Sequence, residues 1–366
     1  MARATSSAWP LSLLFAGLIV YASLYPFEGW RSQGVDPLAF LWAPLPEYWT
    51  GFDVGANLLG YAPLGLLLSL AARRSGRAPW AWPLGVVVPA LLSLAVEITQ
   101  NYLLLRIASN VDVALNAAGG VLGAALAALL DRLGWVAHWS RWRDRWFLPS
   151  AHGGLVLLAL WPAALLYPAS VPFGLGQVWD RTLQATAEVL ADTPFLAWLP
   201  PAGDAPAPLS PLAEGLCVGL CLLAPLLLAY ADLRNVPRRL LFLPLFLAGA
   251  AGVAGLSSAL TYGPSHAWAW LSPPAWLGLG MAALAGLALV GLPRRLCAAL
   301  MLLCLAFALG LLNRAPASPY FAQSLEVWEQ GRFIRFHGLS QWLGWLWPYA
   351  ALAVGLRAVA RPSAAG

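Results

Sequence analysis

DVGAN at residues 53–57 and DVALN at residues 112–116 each set an Asp and an Asn four residues apart at the head of a long apolar stretch. Four residues is one helical turn, so Asp53 shares a face with Asn57, and Asp112 with Asn116. Ser109 stands three residues before Asp112, and Glu97 and Gln100 form a further i, i+3 pair. Arg106 lies in the short connection NYLLLRIASN between them. Carboxylates around one guanidinium, with amides beside them, suit two kinds of chemistry. The arginine can pair with an anionic phosphate or carboxylate while the acids orient it. Alternatively, a desolvated carboxylate such as Glu97 or Asp112 can act as a general base. Ser109 is the one obvious nucleophile, and no catalytic residue is assigned from the sequence.

The surrounding chain decides where such a cluster can sit. The protein has 366 residues, 60% hydrophobic and 10% charged, with mean hydropathy +0.70. A soluble domain carries about a quarter charged residues. The apolar runs are close to the twenty residues that cross a bilayer. About ten spans are expected, at 8–25, 54–72, 81–104, 111–130, 152–169, 211–230, 240–260, 273–292, 296–312 and 339–356. The fold class is therefore an all-α polytopic integral membrane protein. All 21 basic residues are arginines, and with ten spans only Arg31, Arg106, Arg181, Arg314, Arg332 and Arg335 fall on the outer side. That bias obeys the positive-inside rule and predicts both termini in the cytoplasm of a bacterial cytoplasmic membrane. Membrane anchoring accounts for the net charge of +5, so nucleic acid is not an expected partner. No cleavable leader is evident in the first apolar run.

Ionisable groups at membrane depth cost at least a few kcal/mol each, so they are expected to face the bundle interior and pair. Asp53, Asn57, Glu97, Gln100, Arg106, Ser109, Asp112 and Asn116 thus converge near the outer leaflet, as a hydrogen-bonded lock, a ligand pocket, or both. In the lock, Asp53 and Asp112 are expected to cap their helices. The two motifs are 59 residues apart, and the preceding spans end in the related SLYPFEGW and SLAVEITQ, which points to a parallel two-helix repeat. Gly60 and Gly65 after the first motif, and Gly119, Gly120 and Gly123 after the second, are expected to let backbones touch. Pro63 is expected to kink its helix.

Three regions follow from this reading. Residues 1–130 form a four-helix domain. Residues 131–150 form an interfacial helix with Trp135, Trp139, Trp142 and Trp146 in one stripe and arginines on its flanks. Residues 151–366 form a further domain of about six helices. Its outer loops are 168–210, with a helix expected over 177–190, and 313–338, with another. Cys217, Cys221, Cys297 and Cys304 fall inside spans and read as small packing residues. His138, His152, His266 and His337 are isolated, so no metal or cofactor is expected.

YASLYPF (21–27), DVGANLLGYAPLG (53–65) and SLAVEITQNYLLLRIASNVDVALNAAGGVLG (93–123) resemble the VanZ-like family. The family pattern is Asp, Asn and Pro-x-Gly, then Glu-x-x-Gln, an Arg, Asp-x-x-x-Asn and glycines. Asp53, Asn57, Pro63, Gly65, Glu97, Gln100, Arg106, Ser109, Asp112, Asn116 and Gly120 meet it, over roughly residues 10–130. The resemblance implies a polytopic membrane protein linked to lower susceptibility to lipoglycopeptides such as teicoplanin. No reaction is assigned to that family. The leading expectation is a non-catalytic cell-envelope protein whose polar cluster binds a membrane lipid or lipid-linked precursor. An enzyme acting on an envelope lipid, with Glu97 or Asp112 as acid/base, and a transporter or flippase are the alternatives.

Overall fold

The computed structural model describes residues 6–25, 27, 29–32, 34, 36–45, 51–104, 106–167, 169–200, 207–316 and 334–360, without the side chains of 52, 53 and 334–339. Twelve α-helices form the described residues: α1 (Ala8–Leu24), α2 (Gly51–Arg74), α3 (Ala81–Gln100), α4 (Asn110–Arg132), α5 (Trp135–Trp146), α6 (His152–Ala164), α7 (Trp179–Leu190), α8 (Pro211–Asp232), α9 (Val236–Tyr262), α10 (Pro273–Ala288), α11 (Arg294–Leu312) and α12 (Ile334–Ala360). The only strand-like pairing among them is two isolated bridges. Seven helices are long and apolar enough to cross a membrane, namely α2, α3, α4, α8, α9, α11 and α12. The shorter apolar helices α1, α6 and α10 occupy the remaining three expected spans. The protein is a polytopic helical membrane protein.

Helix starts follow local chemistry. Ser109, Ser210, Asn235 and Ser272 each accept a backbone N–H from three residues on, opening α4, α8, α9 and α10. In the last three a proline follows the cap, where its missing N–H costs nothing. The expected cap at Asp112 is thus corrected. Ser109 has the extended cap conformation, and Asp112 sits in the first turn, where its charge favours the helix dipole. The span expected to reach residue 169 is also shorter, because α6 ends at Ala164. The helix over 177–190 is present as α7. Most of the outer helix expected over 313–338 lies outside the described residues.

The chain divides into two compact units, Met1–Asp144 and Arg145–Gly366. In the first, α2 packs along α4, with α1 and α3 beside them. A Cβ on Gly119 would collide with the Leu58 carbonyl, and one on Gly123 with the Ala62 carbonyl. Gly65, Gly85 and Gly120 meet where α2, α3 and α4 touch backbone to backbone, a Cβ on Gly65 reaching Gly85 O at 2.9 Å and one on Gly120 reaching it at 3.1 Å. Gly60, expected in this seam, faces open space. Pro63 lies inside α2 and Pro89 inside α3. At the far end of the pair, Arg73 bridges to Asp131 at 2.7 Å. Beyond α4, Trp135 and Trp139 of α5 are exposed, and Trp139 stacks on Trp142.

The second unit is built around α8, whose residues from Leu222 to Asp232 are all buried. A helix apolar on every side belongs in a core rather than at its edge. α6, α9, α10, α11 and α12 surround it. Tyr230 donates to the Gly286 carbonyl at 3.1 Å, and Trp347 of α12 to Leu157 of α6 at 2.7 Å.

The glycine seam gives a paired prediction. Gly123→Ala forces a methyl against the Ala62 carbonyl and should cost about 1–3 kcal/mol. Gly60→Ala should be neutral or stabilising by up to about 1 kcal/mol, since alanine is the better helix former. Thermal unfolding of the two variants in lipid nanodiscs decides it, and equal stabilities would mean that the seam is not close-packed.

Candidate functional site

The cluster forms where α1 and α3 end and α2 and α4 begin. Asn57 donates its amide to Asp112 Oδ1 at 2.7 Å, so the Asn of one motif meets the Asp of the other. Asn116 donates to Ser93 Oγ of α3 at 2.9 Å. Glu97, 3% exposed, accepts the backbone N–H of Ser109 at 2.9 Å. Its carboxylate therefore sits at the positive end of α4, bonding a donor just outside that helix. The Asp53 side chain is outside the described residues, although its backbone lies in the first turn of α2.

Two residues hold the end of α1. Gln100 donates to the Ser23 carbonyl at 3.0 Å, and Arg106 donates to the Tyr25 carbonyl at 3.0 Å. A cationic side chain at a helix C-terminus answers both its unsatisfied carbonyls and its partial negative charge. The Arg106 guanidinium also acts electrostatically on Glu97, and Arg106 and Asp112 are both half-buried. The loops of the two helix pairs meet as well. Trp30 bridges to Leu103, and Arg31 N–H donates to Tyr102 O at 3.0 Å. Asn101 reaches the Pro37 carbonyl at 2.9 Å, and Asn110 reaches that of Ala43 at 2.7 Å.

Two functional-site residues were not singled out by the sequence. Ser93 is one turn before Glu97, on its face, and that spacing was the available signal. Tyr61, 5% exposed, brings its hydroxyl beside Ser93 and within electrostatic reach of Glu97 and Asp112. Nothing in its apolar surroundings marks it. The Tyr61 hydroxyl and Asn116 Oδ1 are closed off without a sound hydrogen bond among the described residues.

The site thus has two layers. Glu97, Asn116, Ser93 and Tyr61 make a buried floor, whereas Asp112, Ser109, Asn57 and Arg106 make a half-buried rim. Among the described residues no His, Cys, Asp and Glu gather as a metal site. Residues 5–131 match the sequence model of the VanZ/LLP1 family. The first unit contains a VanZ-like domain. Floor and rim both lie within that domain, and the second unit lies outside the match. No curated protein and no solved structure matches the chain.

A double-mutant cycle on Asn57→Ala and Asp112→Ala checks the cross-motif bond of the VanZ-like domain. A coupling energy of about 1–2 kcal/mol is expected, above the average for hydrogen bonds between membrane helices because one partner is charged. Strictly additive losses in unfolding free energy would mean the two side chains act independently.

Proposed function

We propose that the protein is a cell-envelope protein of the bacterial cytoplasmic membrane whose VanZ-like cluster binds the anionic head of a lipid-linked or amphiphilic ligand. The observation that carries this is a half-buried Arg106, held on the Tyr25 carbonyl at 3.0 Å and within electrostatic reach of the buried Glu97. A guanidinium held in this way loses little freedom when it takes a phosphate or carboxylate. Arginine has five donors in a planar fork, so its bond to the Tyr25 carbonyl does not exhaust it. Asn57, bonded to Asp112, belongs to the same half-buried rim.

The acid–base alternative fits the geometry less well. Glu97 is committed to the Ser109 backbone and shut away from bulk solvent. Ser109, the candidate nucleophile, has its oxygen turned to the N–H of Asp112 as a helix cap. The arginine distribution still supports cytoplasmic termini and an outward-facing cluster, and the family resemblance supports an effect on lipoglycopeptide susceptibility.

Arg106→Gln and Asp112→Asn, in nanodiscs and in cells, test the binding reading. Both variants should accumulate and stay folded. Arg106→Gln should bind an anionic single-chain amphiphile such as octyl phosphate at least about tenfold more weakly than the parent. The lipoglycopeptide susceptibility of cells carrying it should return to that of cells lacking the protein. Unfolding of both variants would reduce the cluster to a lock between helices. Orientation is tested separately with Trp139→Cys and Trp198→Cys in a cysteine-free background. An impermeant thiol reagent should label the second from outside and the first only from inside, and the reverse pattern would overturn the topology.

A further inference from the structure

The second unit contains a segment that neither the family match nor the VanZ-like cluster explains. After thirteen residues α6 stops at Ala164, and the described residues from there to Val178 have no regular structure. This stretch is inside the unit: Leu165, Val171, Phe173 and Leu175 are buried. Phe173 adopts φ +63°, a conformation that costs a residue with a side chain. Side chains from elsewhere satisfy its backbone. Ser257 of α9 donates to the Leu166 carbonyl at 3.2 Å. Asn313 accepts from Val178 and Trp179, both at 3.0 Å, and donates to the Gly176 carbonyl at 3.3 Å. Irregular backbone within a membrane bundle is tolerated where protein buries it or where it lines a cavity.

Here it does line one. A cavity of about 530 Å³ opens between this segment, the start of α8, the end of α9 and the approach to α10. That is the size of a small-molecule site. Its lining has a definite chemistry. Glu214 supplies one carboxylate, Ser257 and Ser258 supply hydroxyls from the wall of α9, and Tyr167 adds a phenol. Trp270, edge-on to Phe173 with ring centroids 5.3 Å apart, supplies aromatic surface. No arginine is among the lining residues.

We propose that this cavity binds the neutral, hydroxyl-rich head group of a glycosylated amphiphile. A sugar presents neighbouring hydroxyls that a carboxylate accepts together, while its other hydroxyls exchange hydrogen bonds with Ser258 and Tyr167. Its C–H face rests on an aromatic ring. An anionic head would meet the Glu214 carboxylate, with His266 as the one lining side chain able to offer it a positive charge. A quaternary ammonium would suit Glu214 and Trp270, but it makes no hydrogen bonds with Ser258 or Tyr167. The cavity also lies near the ends of two span-length helices. Glu214 is in the first turn of α8, and Ser258 is one turn from the end of α9. Leu256 and Leu260, exposed on α9, offer the hydrocarbon chain a flank.

The test is thermal unfolding of the full chain in zwitterionic nanodiscs, titrated below micelle formation with octyl glucoside, octyltrimethylammonium, octyl sulfate and free glucose. Octyl glucoside should raise the unfolding temperature saturably, and the ammonium and sulfate should not. Free glucose acting as well as the glucoside would support the same head-group site with a soluble sugar as its source. Glu214→Gln and Ser258→Val should each raise the half-saturating glucoside concentration about tenfold. Equal stabilisation by glucoside and ammonium, or no change in the variants, would overturn the proposal. The comparison of probes on the parent protein stands even if a variant does not fold.

Discussion

The first unit depends on one close approach, between the backbones of α2 and α4. Packed helices normally keep their axes 8–10 Å apart because side chains intervene. Here Gly119 and Gly123 remove those side chains, and carbonyls of α2 occupy the space a methyl would need. Lipid chains are as apolar as leucine, so no hydrophobic force pulls membrane helices together. Contact area and polar bonds do that instead, and a glycine seam supplies both. It brings many atoms into van der Waals range and sets Asn57 within 2.7 Å of Asp112. The same seam aligns Arg73 with Asp131 at the other end. A wider spacing would leave Asp112 and Asn57 facing lipid or each other at useless distance.

That arrangement makes the polar cluster more than a set of ligands waiting for a partner. Several of its hydrogen bonds are already spent on the fold: Glu97 on the Ser109 backbone, Gln100 and Arg106 on the last carbonyls of α1, and Asn116 on Ser93. These bonds lie in both layers of the cluster. The floor, sealed from solvent, is where loss of a group leaves its partner buried and unsatisfied, at about 1–3 kcal/mol. The rim, half-buried, carries structural bonds of its own, from Asn57 to Asp112 and from the Asp112 N–H to Ser109. Arg106, at the same rim, holds α1.

Much of this was legible in the sequence because its signals are unusual there. An Asp and an Asn one turn apart stand out among apolar neighbours, and their repetition after 59 residues marks where α2 and α4 begin. Each of the ten apolar stretches holds a helix, seven of them long enough to cross a bilayer and three shorter. What was missed is ordinary in composition. Ser93 and Tyr61 are neutral residues whose importance comes only from which face of a neighbour they meet. Gly60 reads like Gly119, its counterpart in the repeat, yet one faces open space and the other a carbonyl. Spacing cannot separate them, because the repeat is not symmetric in its surroundings. Asp112 and Ser109 are both good caps, and the choice between them rests on a backbone angle.

The second unit shows the opposite limit. α8 is apolar on every face, so no periodicity reveals which neighbour it meets, and its central place follows only from packing. α6 was expected to run on to residue 169 because its composition stays apolar, but PASVPFGLG supplies prolines and glycines that stop a helix without making the chain polar. Hydropathy then predicts burial correctly while misjudging form. A buried segment without a helix must find partners for each backbone group, and Ser257 and Asn313 are placed to answer several of them. A polar side chain within an apolar helix, as Ser257 is, and one at a helix end, as Asn313 is, are costly unless something needs them. Here the need is the irregular segment itself, and the cavity beside it is the space that this departure from helical packing leaves.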